Sequence, residues 1–261
     1  VDSGPRIWIA ALRNSHERLA ALVRQISPEQ LTNPSYASEW TIAQVLSHLG
    51  SGAEIAQFSI AAALVPDGPI DQAAIPAIWQ AWNAKSPQQQ AADCLSLNEA
   101  RISRLERLTD AELARMHLSF GGMDLDASGF FGLALAEHAV HTWDIAVVLD
   151  PAAVVSPDAV ALLAGRLPMV ARWAGKPGGA AFRARLRASD SNVDYLLDVA
   201  EQVTLAPWPG PGGTGPAAEI ILPAEAMVRL VYGRLDPGHT PAAATAGGAA
   251  LDQVRAVFPG F

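Results

Sequence analysis

Between Phe130 and Leu149 the chain reads FFGLALAEHAVHTWDIAVVL, and the only ionisable side chains in that stretch are Glu137, His138, His141 and Asp144. A carboxylate in so apolar a setting is costly unless a cation, a metal or a hydrogen-bond network compensates it, which makes this segment the first place to look for chemistry. Glu137 and His141 are four residues apart, so on a helix they stand one turn above the other and can converge on a point. His138, turned by about 100° from Glu137, cannot easily join them. Far upstream, His48 follows a helix-start signal and can supply a third ligand from another helix. Two neutral imidazoles and a carboxylate with an open coordination position suit catalytic zinc or non-haem Fe(II). The plainer alternative is a buried Glu–His hydrogen bond with His48 as an ordinary cleft residue. Asp144, three residues after His141, shares its face and either orients that ligand from behind or packs the helix.

These residues need helices to hold them. Trp8, Leu12, Leu19 and Leu22 mark a first amphipathic helix, and Ser27-Pro28-Glu29-Gln30 starts a short second turn. Thr41-Ile42-Ala43-Gln44 fits a capping box, followed by an apolar stripe of Ile42, Val45, Leu46 and Leu49, with His48 at its edge. A third long helix is expected over Gln88 to Leu108, and the fourth is Phe130 to Leu149. Four helices imply a bundle, with loops at Val65 to Ile75 and Leu118 to Ala127 shaping a pocket mouth. Trp40 and Trp143 flank the candidate ligands and are expected to pack beneath them.

After Asp150-Pro151 the pattern changes. A helix over Pro157 to Trp173 precedes Phe182 to Ala188, where apolar residues alternate with Arg183, Arg185 and Arg187 as in a half-buried strand with a solvated arginine face. Tyr195 to Ala200, Val203 to Ala206 and Ala218 to Leu222 read as strands, and Pro223 to Leu235 as a helix. Pro241 to Ala250 reads as a flexible connector, and GPGGTG at Gly210 to Gly215 as loop, since it lacks the Lys-Ser/Thr of a phosphate-binding turn. The expectation is two domains: a four-helix bundle over residues 1–154 and a smaller α+β domain over 155–261.

Composition narrows the partners. Half of the 261 residues are hydrophobic and 17% are charged, as in a globular chain. A formal charge of −8 disfavours nucleic acid and anionic membrane. The four ionisable groups make a bilayer span over Phe130 to Leu149 expensive, and the amino end shows no continuous apolar run of a secretory leader. A cytoplasmic protein is expected. Cys94 is the only cysteine, which excludes an internal disulfide and a cysteine-based zinc site. Free cysteine is commonly buried, so Cys94 reads as core and not as a nucleophile.

EWTIAQVLSHLGSGAEI, followed after about ninety residues by LAEHAVHTWDIA, resembles the actinobacterial maleylpyruvate isomerase family. The ending LPAEAMVRLVYGRLDP is similar to that family's carboxy-terminal domain. The resemblance implies a DinB-like four-helix bundle followed by a sterol-carrier-like α+β domain. It implies a divalent metal, usually zinc, on His48, Glu137 and His141, and mycothiol as cosubstrate. It also implies an activity-related arginine, for which Arg234 and Arg229 are the candidates, with Arg234 favoured because it follows Gly233 at the helix end. A guanidinium there could clamp a substrate carboxylate. The expected function is thiolate addition to a small electrophilic substrate, as cis–trans isomerase or thiol transferase. The alternative from another class is a non-catalytic protein with a structural metal and an apolar ligand in its second domain.

Overall fold

The computed structural model describes residues 4–37, 39–64, 72–120, 123–179, 181–210, 216, 218–246 and 249–260. The chain divides into two compact units, Val1–Val154 and Val155–Phe261.

The first unit is built on four long helices: α1 (Pro5–Val23), α2 (Ile42–Ala63), α4 (Pro87–Glu106) and α6 (Ala127–Ala146), with the shorter α3 (Ile75–Asn83) and α5 (Asp110–Arg115) between them. α2 packs on α4 and α1 on α6, and α1 and α2 also touch α4 and α6 respectively. Leu12, Leu19, Ile42, Leu46, Ile60, Ile102, Leu105, Phe131 and Leu135 are fully or almost fully buried, so the periodic residues of all four helices meet in one core. α2, α4 and α5 each begin with a reciprocal capping box, at Thr41/Gln44, Ser86/Gln89 and Thr109/Glu112.

Two short helices were not apparent from periodicity. α3 begins with Pro76 in its first turn and drives Trp82 into the core, while α5 is held by its cap. Trp82 lies so close to α2 that a Cβ added to Gly50 would come within 2.2 Å of its ring. The stretch expected as a loop over Leu118 to Ala127 is an antiparallel hairpin, β1 (His117–Phe120) with β2 (Met123–Asp126), whose last residue caps α6 through Asp126 Oδ1 accepting from Gly129 N at 2.7 Å. Of the other loop expected at the pocket mouth, residues 65–71 lie outside the described residues.

The second unit is α+β. The single helix expected over Pro157 to Trp173 is instead two, α7 (Pro157–Leu163) and α8 (Leu167–Ala174), joined by a 3-10 turn at Ala164–Arg166. Pro168 is the cause: it has no N–H for the carbonyl four residues back, and its ring would strike that carbonyl. The strands β3 (Phe182–Ala188), β4 (Asp194–Val199), β5 (Val203–Pro207), β6 (Ala218–Leu222) and β7 (Thr245–Ala246) form a sheet of order β5-β4-β3-β6-β7, parallel only between β3 and β6. β7 lies where a flexible connector was expected. α9 (Ala224–Val231) packs on β3 and β6, α8 on β5, and α10 (Ala250–Val257) on β6.

The alternation along β3 sends Ala184, Leu186 and Ala188 into the core. Its arginines face out and are paired: Arg185 with Asp194 at 2.5 Å and Glu219 at 3.0 Å, Arg183 with Asp198 at 2.9 Å. Most of the glycine-rich segment Gly210 to Gly215 lies outside the described residues.

Candidate metal centre

His48 reaches its place because the Thr41/Gln44 box sets the start of α2 and the stripe Ile42, Val45, Leu46, Leu49 turns inward. The next position round keeps His48 at the rim of the bundle, with 36% of its side chain exposed. α6 is buried along most of its length and packs on α1 and α2. On it, Glu137 and His141 lie one turn apart and meet His48.

Glu137 Oε2 is 2.9 Å from His48 Nε2 and 3.5 Å from His141 Nε2, and one ligand atom from each residue lies within 4.8 Å of the others. A tetrahedral zinc with bonds of about 2.0–2.2 Å keeps its ligand atoms roughly 3.3 Å apart, between those two separations. Two imidazole nitrogens and a carboxylate oxygen with solvent on one side therefore fit a divalent ion with an open position. The carboxylate is less enclosed than its apolar surroundings in sequence suggest, since 55% of the Glu137 side chain is exposed.

Asp144 stands behind His141. Its carboxylate, wholly buried, accepts from His141 Nδ1 at 2.8 Å. That hydrogen bond places a proton on Nδ1 and turns Nε2 toward the cluster. Burial alone would lower the His141 pKa, but hydrogen bonds to Asp144 and Glu137 push it up to about 9. Burial alone would raise the Glu137 pKa, but His141 and His48 hold it well below the usual carboxylate range. Ion pairing thus holds the cluster together, and a divalent ion bound by His48, Glu137 and His141 would require His141 Nε2 free of its proton.

The neighbours of the candidate residues follow from helix rotation. His138 points away from the cluster into the bundle, where its Nδ1 is 2.9 Å from Ser15 Oγ and its ring meets His16 edge-on at 6.0 Å. Trp143 packs in the interior against Tyr36, with Nε1 donating to the Ala153 carbonyl at 2.9 Å. Trp40 does not pack beneath the site as expected: 38% of it is exposed, beside both ligand imidazoles. Its position depends on a turn that no periodic pattern encodes. Cys94 is fully buried, and burial pushes its thiol up to about 12, so it is core.

Arg229 and Arg234 lie in the second unit. Arg229 is buried, with Nε and Nη2 donating to Glu225 at 2.7 and 3.0 Å and Nη1 donating to the carbonyls of His239 and Arg234 at 2.8 and 3.3 Å. Arg234, also buried, donates from Nη1 to the Tyr232 carbonyl at 2.8 Å.

A helical bundle with a two-histidine, one-glutamate cluster, followed by an α+β unit, is the class this molecule represents. Residues 12–146 match the model of the mycothiol maleylpyruvate isomerase N-terminal domain, and the chain belongs to that family. The fold is that of the mycothiol-dependent maleylpyruvate isomerase, whose crystal structure superposes with a TM-score of 0.67 at 13% identity, covering 94% of each chain. A histidine-to-alanine mutant of that isomerase superposes equally well, at 12% identity. YfiT from Bacillus subtilis, a four-helix bundle of unusual topology, is 20% identical over 56% of this chain and 86% of its own, with a TM-score of 0.41. Among curated proteins no sequence matches the chain. No helix among the described residues is long and apolar enough to cross a membrane.

Proposed function

We propose that this chain is a divalent-metal enzyme that uses mycothiol against a small electrophilic substrate, as a cis–trans isomerase of the maleylpyruvate type or as a thiol transferase. The observation that carries the reading is the convergence of His48, Glu137 and His141 on one solvent-facing point, with Asp144 behind His141. Membership of the mycothiol maleylpyruvate isomerase family supports the choice of thiol.

A bound divalent ion, taken as zinc from the family resemblance, would hold a thiol as thiolate near neutral pH. His48, Glu137 and His141 would hold that ion, and Asp144 fixes the His141 ring so that Nε2 faces the cluster. Cys94 cannot serve as the nucleophile, because its thiol is buried and protonated at neutral pH. The attacking sulfur is therefore external. Its addition to an electron-poor carbon of a cis-alkene leaves a single bond free to rotate, and expulsion of the same sulfur returns the trans isomer; when the sulfur stays, the product is an S-conjugate. The family resemblance supports an activity-related arginine, and for the binding of a substrate carboxylate Arg234 is favoured over Arg229 because it follows Gly233 at the helix end.

The test has two parts. Elemental analysis of the wild type, His48→Ala and His141→Ala should give about one ion per chain in the first and strong loss in the others. The zinc-loaded protein incubated with mycothiol and maleylpyruvate should give fumarylpyruvate or an S-conjugate by mass spectrometry, with little turnover when glutathione replaces mycothiol. Full metal occupancy in both variants removes the ligand set. A metal-loaded wild type that neither binds nor turns over mycothiol removes the enzymatic reading in favour of a binding protein.

A further inference from the structure

Trp40 borders the metal centre. Its ring centroid is 5.2 Å from that of His48, at an interplanar angle of 43°, and 6.2 Å from that of His141, at 30°. The two imidazoles meet each other edge-on at 4.8 Å. One part of the indole is thus covered by the candidate ligands while 38% of the residue stays open, on a site where Glu137 and His48 are also exposed.

An isolated surface tryptophan would need no explanation. This one is held in place. The Trp40 carbonyl accepts from both Ser35 N and Ser35 Oγ at 2.9 Å, and Trp40 N donates to the Ala37 carbonyl at 2.7 Å. Pro34 and Thr41 close the turn with an antiparallel bridge, so the indole sits one residue before the cap of the helix that carries His48. Within the same turn, Tyr36 N donates to the Asp144 carbonyl at 2.9 Å, which ties it to the helix that carries Glu137 and His141. The turn is anchored to both ligand-bearing helices. A rigid aromatic already in place loses little conformational freedom when a ligand packs on it.

The face of an indole is electron-rich and attracts flat, electron-poor groups as well as cations. A small ligand that places a carboxylate toward the cation at the cluster has its carbon skeleton beside this ring. We propose that Trp40 is a specificity-determining wall of the centre, stacking a planar, conjugated, electron-poor carboxylate such as a cis-enedioate in preference to a saturated one. The proposal deepens the function argued above and rests on the centre accepting a small electrophile.

Maleate and succinate carry the same charges and differ in the flat, rigid alkene, so their comparison in the wild type is read against the same comparison in variants of Trp40. Isothermal titration of the zinc-loaded wild type should show maleate binding about threefold to tenfold more tightly than succinate, the range expected of an aromatic stacking contact. Trp40→Leu should abolish that preference, Trp40→Phe should keep part of it, and the zinc content of all three should be equal. Equal affinities in the wild type overturn the proposal, as does a preference that survives in Trp40→Leu, which would mean that the fixed cis geometry alone is being read at the metal. Where Trp40→Leu does not fold, Trp40→Phe decides, and an undiminished preference there overturns the proposal. If the wild type holds no zinc the metal reading fails, and the wall, argued from a carboxylate directed to that cation, falls with it. If it binds zinc and prefers maleate through Trp40 but does not turn over mycothiol, the thiol reading fails and the wall stands.

Discussion

Asp144 accepts a 2.8 Å hydrogen bond from His141 Nδ1 while being wholly removed from solvent itself. Partners of this kind fix the tautomer and aim of a ligating imidazole, and their loss typically weakens metal binding about tenfold to hundredfold. Asp144→Asn keeps the shape but removes the charge, and its amide nitrogen can turn toward Nδ1 and favour the wrong tautomer. Zinc affinity measured by competition with a chromophoric chelator should fall by about that factor, with the helical content unchanged. Unaltered affinity would show that Asp144 serves packing alone.

Gly50 carries a structural prediction in the same helix. A Cβ at this position would lie 2.2 Å from two carbons of the Trp82 ring, itself almost fully buried. Trp82 is also fixed at its other end, where Nε1 donates to Glu54 at 2.7 Å and the Lys85 ammonium sits 3.4 Å from the ring centroid. The ring cannot retreat without breaking these contacts. Gly50→Ala should destabilise the protein by about 1–3 kcal/mol despite the better helix propensity of alanine, read from urea unfolding. Gly52→Ala, two residues on with nothing within 4 Å of its Cβ, is the control and should be neutral or stabilising.

Much of the centre can be read from the chain because it depends on helix periodicity. Thr41 and Gln44 declare the start of α2, which sets the rotation of His48, and the spacing of Glu137, His141 and Asp144 puts them on one face of α6. What could not be read depends on contacts between distant segments or on turn conformation. Trp40 looks like another interior aromatic until the Pro34–Thr41 bridge turns it outward beside the imidazoles. The pairing of His138 with Ser15 and His16 joins α6 to α1 and has no local signature. Asp126, in a stretch taken as loop, is both the last residue of a hairpin and the cap of α6. Pro168 is plain in the sequence, but the apolar pattern runs on past it and masks the break after Leu163.

The buried histidine pair gives a pH dependence of stability. Burial lowers the pKa of His16 below its ordinary value, and although Glu99 opposes this, Arg13 and Arg101 add to it. Burial, again with Arg101, lowers that of His138 further. Below about pH 6.5 the unfolded chain binds protons at these positions that the native state refuses, so the contribution of this pair to stability falls as the pH drops through that value and is level above it. Urea midpoints at pH 7.5 and 5.5 should therefore fall less in His16→Gln than in wild type. An equal fall in both would mean that Glu99, whose Oε2 is 3.3 Å from His16 Nε2, accommodates the protonated ring.

Arg229 and Arg234 should separate by the kind of damage that their loss causes. Four donor contacts hold the Arg229 guanidinium, two to Glu225 and two to main-chain carbonyls, and Glu225 Oε1 in turn accepts from Val155 N at 2.9 Å. Removing the arginine strands a largely buried carboxylate and two carbonyls, which typically costs about 3–5 kcal/mol. Arg229→Met should thus unfold at markedly lower urea, and the double variant Arg229→Met/Glu225→Met should recover part of the loss, because no charge is then left without its partner. Arg234→Lys keeps the charge but not the planar fork that binds a carboxylate through two nitrogens. If Arg234 binds substrate, this variant should raise KM for maleylpyruvate more than it lowers kcat while the urea midpoint moves little. A loss of stability in Arg234→Lys as large as that in Arg229→Met, with unchanged KM in the folded fraction, would place both arginines in the framework of the second unit and leave the substrate carboxylate to other groups.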